Sequence, residues 1–302
     1  MCVTLSPANI SNTILYGAEI ELKHGIQHVL GYQNNPVNLA PGPNAMILPF
    51  PANNLMGKEN IIDTSEHKNI LNNIADSITN PYLSNTKSIQ LNSGSRSVQV
   101  FDSGIYTIIL AQNAADIPSA LSKVPVEKRP ALNKGIFDAY AKWYPDWQVA
   151  LCCFNNKDDT STALINDRPI ANVFNKRKVE PLLWWYTPMD KSHLFLPMLD
   201  AHDGNVPDLK SKVKRDHTIA IGSFRHKAKY KVEYSHLLYS KTIPIGFEPP
   251  EDDISKYLTK TVNGSILDGF YTKNGDFKVK ISDGMNLGRI TNLETLPPGY
   301  SA

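Results

Sequence analysis

Cysteine is scarce in this chain. The 302 residues hold three, Cys2, Cys152 and Cys153. An odd count with two neighbours side by side excludes a disulfide framework. Vicinal cysteines pair only by straining the peptide between them. Free thiols fit a reducing, cytoplasmic setting. Long hydrophobic runs are missing too: nothing approaches the ~20 apolar residues of a membrane-spanning helix. The opening residues lack the basic start and apolar stretch of a secretory signal, so none is expected. Neither charge sign dominates. Lys and Arg number 31 against 29 Asp and Glu, a net charge of +2, which argues against a nucleic-acid partner. There is no Gly-x-x-x-x-Gly-Lys loop, no Gly-x-Gly-x-x-Gly, no Gly-x-Ser-x-Gly and no His-Glu-x-x-His. These absences exclude P-loop NTPases, nucleotide-dependent dehydrogenases, α/β-hydrolases and zincins.

What is present is a globular composition, 41% hydrophobic and 20% charged. Such a chain is long enough to bury a core without metal or disulfides. The 21 prolines imply frequent turns. Residues 13–21 and 26–32 read as a hairpin around Lys23-His24-Gly25. Short apolar runs at 44–49, 104–111, 147–154, 181–186, 193–199 and 217–222 read as strands. A helix is expected after Ser65, with Ile70, Leu71, Ile74 and Ile78 on one face and Asn80-Pro81 as its stop. Another is expected over roughly 129–143, with Leu132, Ile136, Phe137 and Tyr140 in helical spacing, and Asp116 is expected to cap a short one. Residues 81–97 read as a polar loop, and Asn274-Gly275 as the turn of a closing hairpin between 266–271 and 276–281. Strands outnumber helices and do not alternate with them. The expected class is α+β, strand-rich, with mixed or antiparallel sheets and a few covering helices. One domain over 1–302 is expected, with 155–178 as a point of subdivision.

The candidate chemistry starts at the second residue. Removal of Met1 would leave Cys2 with a thiol and a free α-amine on one residue, a nucleophile carrying its own base. The amine titrates near pH ~8 and can take the thiol proton near neutrality. An oxyanion would need donors, for which Asn34, Asn38 and Asn44 are candidates beside turns, although asparagine is also ordinary turn chemistry. His28 is the candidate to orient or protonate a leaving group. A second grouping is Asp200-Ala201-His202-Asp203-Gly204-Asn205, followed by Asp216-His217. Asp200 and His202 share a side if the chain is extended there. With Asp203 they offer imidazole and carboxylate ligands to a divalent metal, or else form a strand-to-loop junction. No cofactor is expected otherwise. A third feature is the basic stretch from Lys210 to Lys231. In it Arg225, Lys227, Lys229 and Lys231 could meet an anion, or line a solvated edge strand. Trp143-Tyr144-Pro145-Asp146-Trp147 and Trp184-Trp185-Tyr186 are aromatic clusters. Adjacent Trp184 and Trp185 point to opposite faces of a strand.

The start Met1-Cys2-Val3-Thr4-Leu5, a cysteine leading into a β segment, resembles the N-terminal-nucleophile cysteine hydrolases such as bile-salt hydrolases and class II amidotransferases. That resemblance implies a nucleophile at the start of a strand in a layered α/β/β/α sandwich. It covers only the first few residues; the Met-Cys-Gly start and the Asn-Arg-Asp-Glu run of those families are absent. The order Leu48-Pro49-Phe50-Pro51, then Ser103-Gly104-Ile105-Tyr106, then a helix and 147–154 also resembles, in layout alone, an uncharacterised bacterial domain family. Two function classes follow. One is a cytoplasmic amide hydrolase acting on a small molecule or peptide through Cys2. The other is a binding or self-associating module that uses aromatic and basic surfaces.

Overall fold

The computed structural model describes residues 3–22, 25–65, 68–79, 98–155, 164–165, 168–169, 180–223, 243–244, 261–280 and 295–296. The chain enters through β1 (Val3–Thr4) and then makes a long hairpin, β2 (Ala8–Leu22) with β3 (Gly25–Asn38). β4 (Asn44–Phe50), β5 (Ile61–Ile62) and helix α1 (Ile70–Thr79) follow. A hairpin of β6 (Val98–Ser103) and β7 (Tyr106–Ala111) turns at Gly104, whose φ is +57°. Helices α2 (Ile117–Ala120) and α3 (Lys134–Trp143) precede β8 (Gln148–Phe154). The short strands β9 (Leu164–Ile165) and β10 (Arg168–Pro169) pair with each other. Then come β11 (Leu182–Tyr186), β12 (His193–Leu196), β13 (Lys212–Ser223), β14 (Ile243–Pro244), β15 (Thr261–Lys273), β16 (Asp276–Lys280) and β17 (Thr295–Leu296). The expected loop at 81–97 and the expected subdivision, apart from short pieces of 155–178, lie outside the described residues.

Two sheets carry the fold. One has the order β1-β4-β8-β7-β6, the other β14-β15-β13-β2-β3-β11-β5. The first is antiparallel. The second is mixed, because β13 runs parallel to β2. The class is therefore α+β, strand-rich, with few helices. Side chains alternate along each strand, and here both faces find cover. Met46, Leu48, Phe50, Ile108, Cys152 and Phe154 face Leu15, Leu30, Tyr32, Trp184 and Tyr186 in a shared layer between the sheets. On the far face of the first sheet, Ile47, Ile109, Leu151 and Cys153 pack under Ile117, Ile136, Phe137 and Tyr140 of α2 and α3. On the far face of the second, Tyr16, Val29 and Leu183 pack under Ile70, Leu71 and Ile74 of α1. The layer order is helix, sheet, sheet, helix. Covering both faces makes β4 an unbroken apolar run rather than an alternating one. It also separates the paired tryptophans: Trp184 joins the inter-sheet layer against Phe50, and Trp185 turns toward α1.

Three expectations change. α3 starts at Lys134, one turn later than the periodicity suggested, because the Asn133 side chain accepts the Ile136 N–H and caps it there. Leu132 is left 60% exposed. The Asp116 side chain caps nothing. Asn113 accepts the Ala115 N–H instead and starts the short helical turn before α2. The Asn274-Gly275 turn does not close a hairpin. β15 pairs with β13, while β16 leaves the turn to pair with β12. The turn is a transfer between sheets, and buried polar groups fix it. Asn274 exchanges two hydrogen bonds with the Asp200 backbone, each 2.9 Å. Buried Asp276 accepts the Met198 and Leu199 N–H groups at 2.7 and 3.1 Å and the Tyr144 hydroxyl.

Asp276→Ala would leave three buried donors without an acceptor. We expect a loss of about 3–5 kcal/mol, read as a lower urea midpoint; an unchanged midpoint would refute the anchor. Alkali should act through the phenols. Burial raises the pKa of Tyr16, Tyr144 and Tyr186, and Asp276 adds to it at Tyr144. A folded-state pKa above the unfolded value of about 10 contributes stability in full below that pH and loses it above. The urea midpoint should be flat from about pH 7 to 9 and fall beyond about pH 10; a flat profile through that range would contradict the burial.

Candidate active site

Residues 3–8 bond to several distant parts of the chain. Val3 and Thr4 pair with Ile47 and Met46 of β4. On their other side Val3 forms a parallel bridge with Ala201, and the Thr4 N–H donates to the Ala201 carbonyl at 3.0 Å. Leu5 N–H bonds the Ala45 carbonyl, and Ala8 N–H bonds the His202 carbonyl at 2.8 Å. Ser6 is gripped by one side chain at both backbone groups: its N–H donates to Asn44 Oδ1 and its carbonyl accepts from Asn44 Nδ2. Asn133 Nδ2 reaches from the α3 cap to the Leu5 and Gly204 carbonyls, at 3.0 and 2.7 Å. Gly204 has φ +77°, and a Cβ there would stand 3.1 Å from the Leu5 carbonyl oxygen. Only glycine meets both demands without strain.

Beside this clamp stand Asp200 and His202. His202 Nε2 is 3.0 Å from Asp200 Oδ1, and the two side chains are mostly buried. Ala201, between them, packs with Val3 on the helix-covered face of the first sheet. Asp203 turns away. Its carboxylate takes the Asn205 N–H and side-chain amide at 3.0 and 2.7 Å. Those bonds hold its carboxyl below the usual carboxylate range, assisted by neighbouring His202. Among the described residues no three His, Cys, Asp or Glu side chains stand together as a metal set. Asp200 and His202 are a pair, and the third expected ligand is spent on a turn.

The other expected residues disperse. Cys2 lies outside the described residues, as do Arg225, Lys227, Lys229 and Lys231. Lys212 and Lys214 of the same stretch are exposed. His28 is buried on β3 with its ring edge-on to Tyr186, 5.9 Å between centroids. Asn44 bonds Asn38 at the other end of β3. Ten residues of strand separate His28 from Asn38, about 30 Å at about 3.3 Å per residue, so His28 cannot serve the same centre as Asn44. Nor is Asn44 a spare oxyanion donor: its amide donates to Ser6 and Asn38, and its oxygen accepts from Ser6 and Ala45. Asn34 donates to the Tyr32 hydroxyl and Met46 sulfur, and Asn38 to the Gly42 carbonyl. Tyr144, Trp184 and Tyr186 are buried, and Trp143, Trp147 and Trp185 are partly so.

A cavity of about 170 Å³ opens elsewhere, lined by Thr64, Lys68, Ser103, Gly104 and Glu180 among others. Glu180 is already committed there, accepting the Ile105 N–H at 2.6 Å with Lys68 at 3.7 Å. The sequence held no local signal for Asn133 or Gly204 as parts of the clamp, because both act on residues far away in the chain.

No protein-family model and no curated protein sequence matches the chain. Among solved structures it is similar to baculovirus P35, with a TM-score of 0.44 and 16% identity over 92% of this chain and 99% of that one. A mutated baculovirus P35 after caspase cleavage aligns at a TM-score of 0.43 and 14% identity, over 89% of this chain and 99% of that one. Likenesses this loose carry neither fold nor function across. No helix among the described residues is long and apolar enough to cross a membrane.

Cys152 and Cys153 are free and buried on β8, and burial pushes the Cys153 thiol up to about 12 despite nearby Lys128. Thiolate is the reactive form. In native protein at neutral pH, a disulfide reagent should therefore spare both until the chain is unfolded. Prompt labelling of either in a peptide map would contradict that.

Proposed function

We propose that this chain is a cysteine-dependent hydrolase of amides, with Cys2 as the nucleophile. The observation that carries the reading is the clamp. Six backbone positions from Val3 to Ala8 are tied to four distant parts of the chain: β4, the α3 cap, Ala201-His202 and the Gly204 turn. Covalent catalysis needs its nucleophile held within a fraction of an ångström. Buried Asn44, partly buried Asn133 and the positive-φ Gly204 hold this segment. The layer order of helix, sheet, sheet and helix is the one the resemblance to N-terminal-nucleophile hydrolases implies, which adds support. Burial of the other two cysteines leaves Cys2 to carry the thiol chemistry. Free thiols at Cys152 and Cys153 are in keeping with a reducing, cytoplasmic setting.

The chemistry is acyl transfer. The thiolate adds to an amide carbonyl and the amine leaves. Water then releases the acyl group from sulfur. Neither His28 nor Asn44 takes part, for the reasons of distance and prior bonding given above.

The test is turnover of a panel of amide and thioester substrates by wild type and Cys2→Ala, with the amino terminus read by intact mass. Cys2→Ala should lose at least about a thousandfold in rate and keep the wild-type thermal melt. Full activity in Cys2→Ala would sink the hydrolase reading.

A further inference from the structure

We infer that the cavity beside Glu180 is a binding site for a small zwitterion, an α-amino acid with a short side chain. The inference does not rest on Cys2. The cavity opens where three pieces of chain meet: the segment after β5, the β6–β7 turn and the start of β11. Part of its lining is apolar, from Pro181 and Leu182, both buried. The rest carries charge of both signs, Lys68 with Asp63 and Glu180. At about 170 Å³ it falls below the roughly 300–1,000 Å³ of clefts that hold drug-sized ligands. A nucleotide or a sugar phosphate is too large, and a molecule the size of alanine or serine fits.

The charges select the class. Glu180 divides its carboxylate between two tasks. Oε2 accepts the Ile105 N–H at 2.6 Å, which staples the hairpin turn. Oε1 has the Lys68 ammonium 3.7 Å away, too far for a hydrogen bond. Among the described residues the Lys68 ammonium and the Ser103 hydroxyl make no hydrogen bond. A cation and an anion therefore stand side by side, each with hydrogen-bonding capacity to spare. A pair this loose, its lysine side chain 57% exposed, adds little stability by itself. An α-amino acid carries the same two charges attached to one carbon. Laid antiparallel to the pair, its carboxylate meets Lys68 and its ammonium meets Glu180 Oε1, and both contacts become charge-assisted hydrogen bonds. Asp63 adds a second carboxylate to the lining, which weighs against a purely anionic ligand. A lone amine would have to compete with Lys68 for Glu180.

The walls are fixed without a ligand. Thr64 Oγ1 donates to the Pro181 carbonyl at 3.1 Å and ties the segment after β5 to β11. Lys128 Nζ donates to the Ile105 carbonyl at 2.9 Å, so that turn residue is held at both its N–H and its carbonyl. Gly104 has φ +57°, and a Cβ there would overlap the Glu180 carboxylate. Only glycine lets the turn and the carboxylate come this close. Walls held in this way lower the ordering cost of binding.

The experiment is isothermal titration of L-alanine into the full chain near neutral pH, with acetate and methylamine titrated separately. Alanine should bind at one site with a Kd of about 1 mM or tighter, within what so few atoms can supply. Acetate and methylamine each carry one of the two charges, and should bind at least about tenfold more weakly. Lys68→Met and Glu180→Gln each remove one charge at nearly constant shape, and the glutamine keeps an oxygen for the Ile105 N–H. Each should weaken alanine at least about tenfold while circular dichroism and the thermal melt stay as in wild type. Should Glu180→Gln fail to fold, Ser103→Leu, which fills the cavity, takes its place and should abolish binding. No alanine binding by folded wild type up to about 10 mM overturns the inference. So does alanine binding that survives these substitutions, or acetate or methylamine binding as tightly as alanine.

Discussion

The described core depends on burying the faces that the two large sheets turn to each other, with helices over part of each outer face. The inter-sheet layer, where Trp184 and Phe50 meet at 5.1 Å between ring centroids, turns one face of each sheet inward. The helices α1, α2 and α3 cover the two outer faces. Water then cannot satisfy backbone groups at the strand ends, so side chains must. Asn44, Asn133, Asn274 and Asp276 do that work, each fully or partly buried and each bonding to backbone. These polar contacts also choose which strand pairs with which. Asn274 and Asp276 send the chain from one sheet to the next, where the local turn code alone would have folded it back on itself.

The same constraint explains what was readable in the sequence and what was not. β4 and β8 were legible because two-sided burial makes each an apolar run, bounded by proline or polar residues. α1 was legible because Ile70, Leu71 and Ile74 have one covered face to fill. The start of α3 was misread because Leu132 continues the i, i+4 ladder into a segment that the Asn133 cap excludes. The Asn274-Gly275 hairpin was misread because a turn signal names the turn and not the partners of its flanking strands. β6 was missed because its side chains are only half-buried and its sequence, Val98-Gln99-Val100-Phe101-Asp102-Ser103, is short and mixed.

The site was half legible in the same sense. The Asp200-His202 spacing was visible with a chemical rationale, but no local pattern records that Val3 bridges Ala201 between them. Nor could sequence tell that Asn44 spends its amide on Ser6, or that His28 and Asn44 occupy opposite ends of one strand. Residue type suggests a role; only the topology decides which residues share a centre.

The bridge from Val3 to Ala201 also has a consequence in time. A contact between residues about 200 positions apart forms only after the loop between them is closed, and such pairings are slow and come late. During synthesis at about 5–20 residues per second, the first residues wait about 10–40 s before Ala201 has even been made. Through that interval the amino-terminal segment has β2, β3 and β4 to pair with but lacks the strand that completes its surroundings. The segment from Val3 to Ala8 thus receives part of its pairing only from residues made about 200 positions later, Ala201 and His202.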